Sequence, residues 1–170
     1  TIGIVSPATG RGMCHYDLDG YAQMARLMSP LVERDNHGLV PHQEITAPNL
    51  RRAWFTGPEK HEISLDFGQP MPWKDEMKRY IYLDGIAESI RTGDASGDIV
   101  TLQLAKPSAA RTITYRTGRE WDGTPKHLIR GANGIAALTF CDVEIASSAT
   151  VDPRPIHFEP KVESLQQCEA

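Results

Sequence analysis

The chain has 170 residues, of which 40% are hydrophobic and 24% charged, with a formal net charge of −4. Those are ordinary globular proportions, which set aside disordered and collagen-like classes. No apolar run approaches the roughly 20 residues of a membrane helix, and no Lys/Arg stripe marks a nucleic-acid surface, so neither a membrane nor a nucleic acid is expected as a partner.

Cys14, Cys141 and Cys168 form no CxxC or other metal-ligand spacing, so neither a metal nor any other cofactor is expected. The chain opens on Thr1 without a signal-peptide pattern, and the natural N-terminus is expected to lie elsewhere.

In chain order, Ile2 to Pro7 reads as a short buried strand stopped by proline, followed by a loop from Ala8 to Gly12. From Asp17 the period changes. Leu18, Tyr21, Ala22, Ala25, Met28 and Val32 recur every three or four residues, as on one face of a helix. Asp17 is the expected N-cap, and Pro30 should kink or end the helix near Ser29. Residues 1–35 therefore read strand, loop, helix, which is too little to bury its own apolar faces. They must pack on missing upstream chain or on the β region C-terminal to them. Residues 36–48, with Gly38, Pro41 and Pro48, read as a linker.

Residues 49–145 alternate strand-like runs with turn signals. The runs are Leu50–Phe55, Glu62–Phe67, Arg79–Leu83, Val100–Leu104, Thr112–Tyr115 and Ala136–Val143. Between them stand Gly57-Pro58, Asp84-Gly85, Ser96-Gly97-Asp98, Lys106-Pro107 and Gly131-Ala-Asn133-Gly134. The expected fold is mainly β, an antiparallel sandwich of immunoglobulin-like size. Residues 146–170, with Pro153, Pro155 and Pro160, read as an extended tail.

The chemistry concentrates in Gly12-Met-Cys14-His15-Tyr16-Asp17-Leu18-Asp19-Gly20-Tyr21. His15 falls in a loop between a buried strand and a helix, where open α/β sheets present their reactive groups. A histidine there is able to take a proton from a serine hydroxyl and return it to a leaving group. Cys14, beside it, reads as a small buried hydrophobe rather than a nucleophile.

The His-x4-Gly-Tyr arrangement of His15, Gly20 and Tyr21 resembles the last block of the SGNH-hydrolase (GDSL-like) esterases. The span from Ile2 through the β region to Gly134-Ile-Ala-Ala-Leu-Thr-Phe-Cys-Asp-Val143 resembles the C-terminal region of bacterial sialate O-acetylesterase-like proteins. The run Glu62-Ile-Ser-Leu-Asp-Phe-Gly-Gln-Pro-Met71 is similar to strands of bacterial immunoglobulin-like domains.

The resemblance implies that residues 1–35 end an α/β hydrolase domain and that His15 is the general base of a carbohydrate O-acetylesterase. It implies an acetylated carbohydrate as substrate and an extracellular or periplasmic location. The partner it implies is an upstream catalytic domain carrying the serine nucleophile, because neither the Gly-Asp-Ser-like block nor the oxyanion-hole blocks occur in this chain. Alone, the chain is expected to be inactive.

The family's orienting aspartate should stand two or three residues before the histidine, where this chain has Met13 and Gly12. Three alternatives stay open: a Ser-His dyad oriented by a backbone carbonyl, an acid from elsewhere, or a degenerate site. Asp17 reads as a cap.

Among other residues, Trp73 and Trp121 lie in turn-rich segments and are the candidate sugar-contacting residues, against core or edge packing, which also suits Trp54. His37 and His42 lack a third metal ligand, and Asp84, Asp94 and Asp98 read as turn residues. Arg51-Arg52 reads as a charged strand edge. The competing functional reading is a non-catalytic carbohydrate-binding or spacer β-sandwich.

Overall fold

The computed structural model describes residues 16, 18–87, 89–116 and 122–149. The strand expected at 2–7, the loop with Cys14 and His15, the cap Asp17, Trp121 and the tail beyond 149 lie outside these.

The described chain is mainly β. Helix α1 spans Leu18–His37 and is followed by seven strands: β1 Arg52–Phe55, β2 Glu62–Asp66, β3 Ile81–Leu83, β4 Ile90–Ser96, β5 Ile99–Leu104, β6 Thr112–Tyr115 and β7 Phe140–Ala146. Two short 3-10 turns, Asp75–Tyr80 and Pro125–His127, lie between strands. The strands form one curled sheet in the order β3-β6-β7-β1-β2-β5-β4.

Five pairings are antiparallel, as the alternation predicts, but β1 and β7 run parallel, so the sheet is mixed. Strand β7 divides its pairing. Phe140, Val143 and Glu144 face β6, whereas Ile145 and Ala146 face β1. The change follows an irregularity in the β6–β7 register, near which Asp142 has φ 51 and its N–H donates to Thr114 Oγ1 at 2.9 Å. A bulge of this kind bends a strand and lets it leave one part of a sheet for another.

The strands form because their apolar residues repeat every second position and share one face. Ile63 and Leu65 of β2 stand opposite Leu102 and Val100 of β5, and all four are fully buried. Ala53 and Phe55 of β1, Ile81 and Leu83 of β3, Ile113 and Tyr115 of β6 and Ile145 of β7 continue the same core. On the other face of β2, buried Ser64 lies within hydrogen-bond distance of Thr101 Oγ1 at 3.3 Å, so its hydroxyl is not left without a partner.

The structure corrects several local expectations. The run from Arg79 is a 3-10 turn to Tyr80 before β3 begins at Ile81. The final strand begins at Phe140, and Ala136 belongs to an isolated bridge with Arg130. Strand β4 was not expected at all. Arg51-Arg52 does not blunt an edge, because β1 is central. Arg52 instead pairs with Asp66 at 2.9 Å and lies over the buried Trp54 ring.

Pro30 also fails to end the helix, which continues to His37. Proline removes one backbone donor, but the stop comes from Gly38, at φ 66. Its N–H bonds Arg34 O at 3.2 Å, and Leu39 N–H bonds Glu33 O at 3.3 Å. This pair of bonds closes a helix around a left-handed residue, a conformation glycine adopts without a Cβ clash.

Two apolar stripes run along α1. Leu27 and Leu31 line a cavity of about 270 Å³ with Ile45, Ala47, Ile135 and Leu138 from later in the chain. The other stripe, Leu18, Tyr21, Ala25, Met28 and Val32, is exposed, Leu18 at 84%. Gly20 is the buried helix residue. Beyond α1, Asn133 holds the end of the connecting segment, its Nδ2 donating to Thr46 O at 2.9 Å and Glu44 O at 3.2 Å. Among the described residues, no helix is long and apolar enough to cross a membrane.

Candidate functional site

His15 lies outside the described residues. The chain is described from Tyr16, whose ring meets that of Tyr21 edge-on at 6.0 Å. The start of α1 thus carries an aromatic pair beside the buried Gly20.

Trp73 is half-buried and packs on the core. Its indole lies against the backbone of Gly93 in β4, where an added Cβ would stand 2.6 Å from the ring. That close approach requires glycine. The indole N–H donates to Asp75 Oδ1 at 3.2 Å, and the same carboxylate accepts from Thr92 Oγ1 at 2.9 Å and Gly93 N–H at 3.1 Å. Burial works against the Asp75 charge, but the bonds from Thr92, Trp73 and Gly93 outweigh it and lower its pKa. Trp73 is therefore built into the joint between the first 3-10 turn and the edge strand. Trp121, its expected companion, lies outside the described residues.

Asp122, the next residue in sequence, belongs to a group that the turn signals did not reveal. Asp122 Oδ2 lies 3.1 Å from His127 Nδ1 and 3.5 Å from Arg79 Nε. Asp122 N–H donates to the Tyr80 hydroxyl at 3.0 Å, and Asp122 Oδ1 accepts from Thr124 N–H at 2.9 Å. The His127 ring meets Tyr80 edge-on at 6.1 Å.

The Thr124 backbone N–H is the largest influence on Asp122. Burial opposes it, the Thr124 and Tyr80 hydroxyls and His127 add to it, and the carboxyl falls to about 2. The carboxylate fixes the imidazole by its Nδ1 side, which leaves Nε2 as the ring's other hydrogen-bonding atom. His127, Arg79 and Tyr80 border a cleft of about 580 Å³, together with Tyr82 and Ile90. The Asp-x4-His spacing of Asp122 and His127 has no helical or strand period, so no sequence signal distinguished it from other turn residues.

A second, broader groove of about 800 Å³ lies by Phe55, Asp84, Arg111 and Glu144. Asp84 was expected to serve its own turn. Its carboxylate instead reaches the start of β6, accepting from Thr112 N–H at 2.9 Å and Arg111 N–H at 3.0 Å. These backbone bonds lower its pKa, Thr112 first. His37 and His42 are exposed. Among the described residues, no three His, Cys, Asp or Glu side chains stand together in a way that would hold a metal ion.

No protein-family model matches the chain, and no curated protein matches it in sequence. Among solved structures, a carbohydrate acetylesterase from Xanthomonas citri is similar at a TM-score of 0.47 and 13% identity, over 79% of this chain and 30% of that one. This chain therefore covers less than a third of that enzyme's length. A likeness of that degree assigns neither an activity nor a site.

Proposed function

We propose that this chain is the C-terminal part of a carbohydrate O-acetylesterase, and that it completes an α/β catalytic body carrying the serine nucleophile and the oxyanion donors. In this reading His15 is the general base, and the curled sheet is an accessory β-sandwich of immunoglobulin-like kind. The two tryptophans Trp73 and Trp121 contact an acetylated sugar outside the cytoplasm.

The observation that carries the reading is the open stripe of α1. Leu18, Tyr21, Ala25, Met28 and Val32 follow His15 in the chain at spacings of three and four, yet stay exposed while Leu27 and Leu31 line a cavity with Ile135 and Leu138 of the β region. Burying a large apolar side chain is worth about 1.5–3 kcal/mol, so an exposed row of them marks a surface that takes a partner. A helix packed on both sides is what the last helix of an α/β domain with an accessory domain after it requires.

The mechanism proposed is acyl transfer. His15 takes the serine proton as the oxygen attacks the acetyl carbon, then gives that proton to the departing sugar oxygen. It next takes a proton from water as the water oxygen attacks the carbonyl carbon of the acetyl-serine. The bond from that carbon to the serine oxygen breaks, His15 returns the proton to the serine oxygen, and acetate leaves.

The self-contained core of the β region favours a second reading, a carbohydrate-binding or spacer module without catalysis. One experiment separates them. The chain is assayed on a chromogenic acetate ester alone, then joined in one polypeptide to an α/β esterase body containing the Gly-Asp-Ser block. The first reading expects no turnover alone, activity when joined, and a loss of about 10⁴-fold or more in kcat for His15→Ala. Turnover by the chain alone, or a joined His15→Ala enzyme of normal rate, overturns it.

A further inference from the structure

We propose that the cleft between the first 3-10 turn, β3 and the loop from Asp122 to His127 is a binding subsite for a neutral pyranose. The choice of a sugar as ligand class rests on the carbohydrate reading above. The place and the charge preference come from the geometry of the cleft.

The apolar part of the cleft comes from strand alternation. Ile81 and Leu83 are buried in the core, and Tyr82 between them is half-buried, packed in part against that core and in part bordering the cleft. Tyr82 and Ile90 border the cleft and give an aromatic and aliphatic surface suited to the C–H face of a sugar ring. At about 580 Å³, the cleft lies within the usual range for small-molecule sites.

The polar part is held in advance. Asp122 takes His127 by Nδ1 and Arg79 by Nε, so His127 Nε2 and the outer guanidinium nitrogens are the atoms left for a ligand. The Arg79 side chain is 58% exposed. Glu76 adds an exposed carboxylate at the same cleft. Arg79 and Asp122 come from segments more than 40 residues apart, and the Asp122–Tyr80 bond ties those segments together. A site already tied in this way loses little freedom when it binds.

Charge selects among ligands. Asp75 is bonded to Trp73, Thr92 and Gly93, and Lys78 Nζ donates to Arg91 O, which engages both groups within the protein. Among the described residues that border the cleft, Asp75 and Glu76 match Lys78 and Arg79 in number, and Arg79 is paired with Asp122, so these residues supply no cationic excess to hold a phosphate or carboxylate. What remains is a mixture of donors and acceptors beside an aromatic ring. Vicinal hydroxyls match it, because each is both donor and acceptor. An imidazole Nε2 accepts from a hydroxyl when neutral and donates to one when protonated.

The test is an amide-resonance titration of the 170-residue chain with xylohexaose, cellohexaose and mannohexaose, and with an oligogalacturonide as the anionic control. The proposal expects at least one neutral oligosaccharide to give saturable shifts centred on Tyr82, Ile90 and His127. The anionic control should bind at least tenfold more weakly. His127→Ala and Tyr82→Ala should each weaken binding tenfold or more.

Tyr82→Ala leaves the Asp122–His127–Arg79 bonds in place, so it reports on the ligand even where His127→Ala loosens the loop. Sugar-dependent shifts that leave Tyr82, Ile90 and His127 unmoved, preference for the anionic sugar, or no binding by any neutral sugar overturns the proposal. Binding is read without a catalytic body. A chain that binds no sugar here but completes an esterase ends this inference and leaves the proposed function standing.

Discussion

The β region and helix α1 contain similar apolar side chains and treat them in opposite ways. In the β region, Ile63, Leu65, Val100 and Leu102 face one another across β2 and β5 with no exposed surface. In α1, Leu18 is 84% exposed and Tyr21, Met28 and Val32 are between 41% and 45% exposed. The first region satisfies itself. The second shares a cavity with the β region through Leu27 and Leu31 and keeps its other stripe open. Exposed apolar residues scattered singly on a surface need no explanation, whereas a periodic row of them does.

The comparison is broken most forcefully in the buried core of the sheet. Leu102 lies opposite Ile63 on one side and Gly93 on the other, fully buried. Leu102→Ala should cost about 2–5 kcal/mol, the range for a buried leucine whose cavity cannot collapse. Denaturant unfolding followed by tryptophan fluorescence measures it. A loss under about 1 kcal/mol would mean that the β region is not the self-sufficient body contrasted here with α1.

That core was largely legible in the sequence, and the reasons for what was missed are physical. Strands β2, β5 and β6 announce themselves because Ile63/Leu65, Val100/Leu102/Leu104 and Ile113/Tyr115 alternate with polar residues. Strand β4 does not. Its Ile-Arg-Thr-Gly-Asp-Ala-Ser has one large apolar residue, because it lies at the sheet's edge and receives the Trp73 indole on the bare backbone of Gly93. Nothing within the segment reveals that Trp73 is there.

The parallel β1–β7 pair was equally hidden, since alternation gives the face of a strand and not its neighbour. The Asp122–His127–Arg79 group needs the 3-10 turn brought alongside a distant loop, which no local period encodes. Residue spacing placed His15 in a loop before a helix, but its role as a base rests on family resemblance, and its surroundings lie outside the described residues.

A smaller effect sharpens the boundary between the two regions. Asn133 bridges them. Its Nδ2 donates to Glu44 O and Thr46 O in the segment leading from α1, while its Oδ1 accepts from Ile135 N–H at 3.0 Å. Asn133→Ala leaves those solvent-exposed backbone groups to water and should cost about 0.5–1.5 kcal/mol. Leu138 N–H still bonds Pro48 O at 2.9 Å, so the β region should keep its fold. Hydrogen exchange should show faster exchange at Ile135 and looser contact between Leu31 and Ile45, with core amides of β2 and β5 unchanged. Equal loosening throughout would show that the two regions unfold as one.

The smallest expected effect is the most informative about α1. Replacing Leu18, Tyr21, Met28 and Val32 together by glutamine removes four large, exposed apolar groups, of which Tyr21 also meets the Tyr16 ring. Glutamine is a good helix former, and surface substitutions of this kind change stability by about 0.5 kcal/mol or less each. The β region's unfolding midpoint should therefore hold, in contrast to Leu102→Ala. The same four changes should abolish completion of an α/β esterase body, because they strip the surface that the body would bury. A variant that unfolds the β region would place the stripe within this chain's own core. A variant that keeps full activity in the joined enzyme would leave the stripe with no partner to explain it.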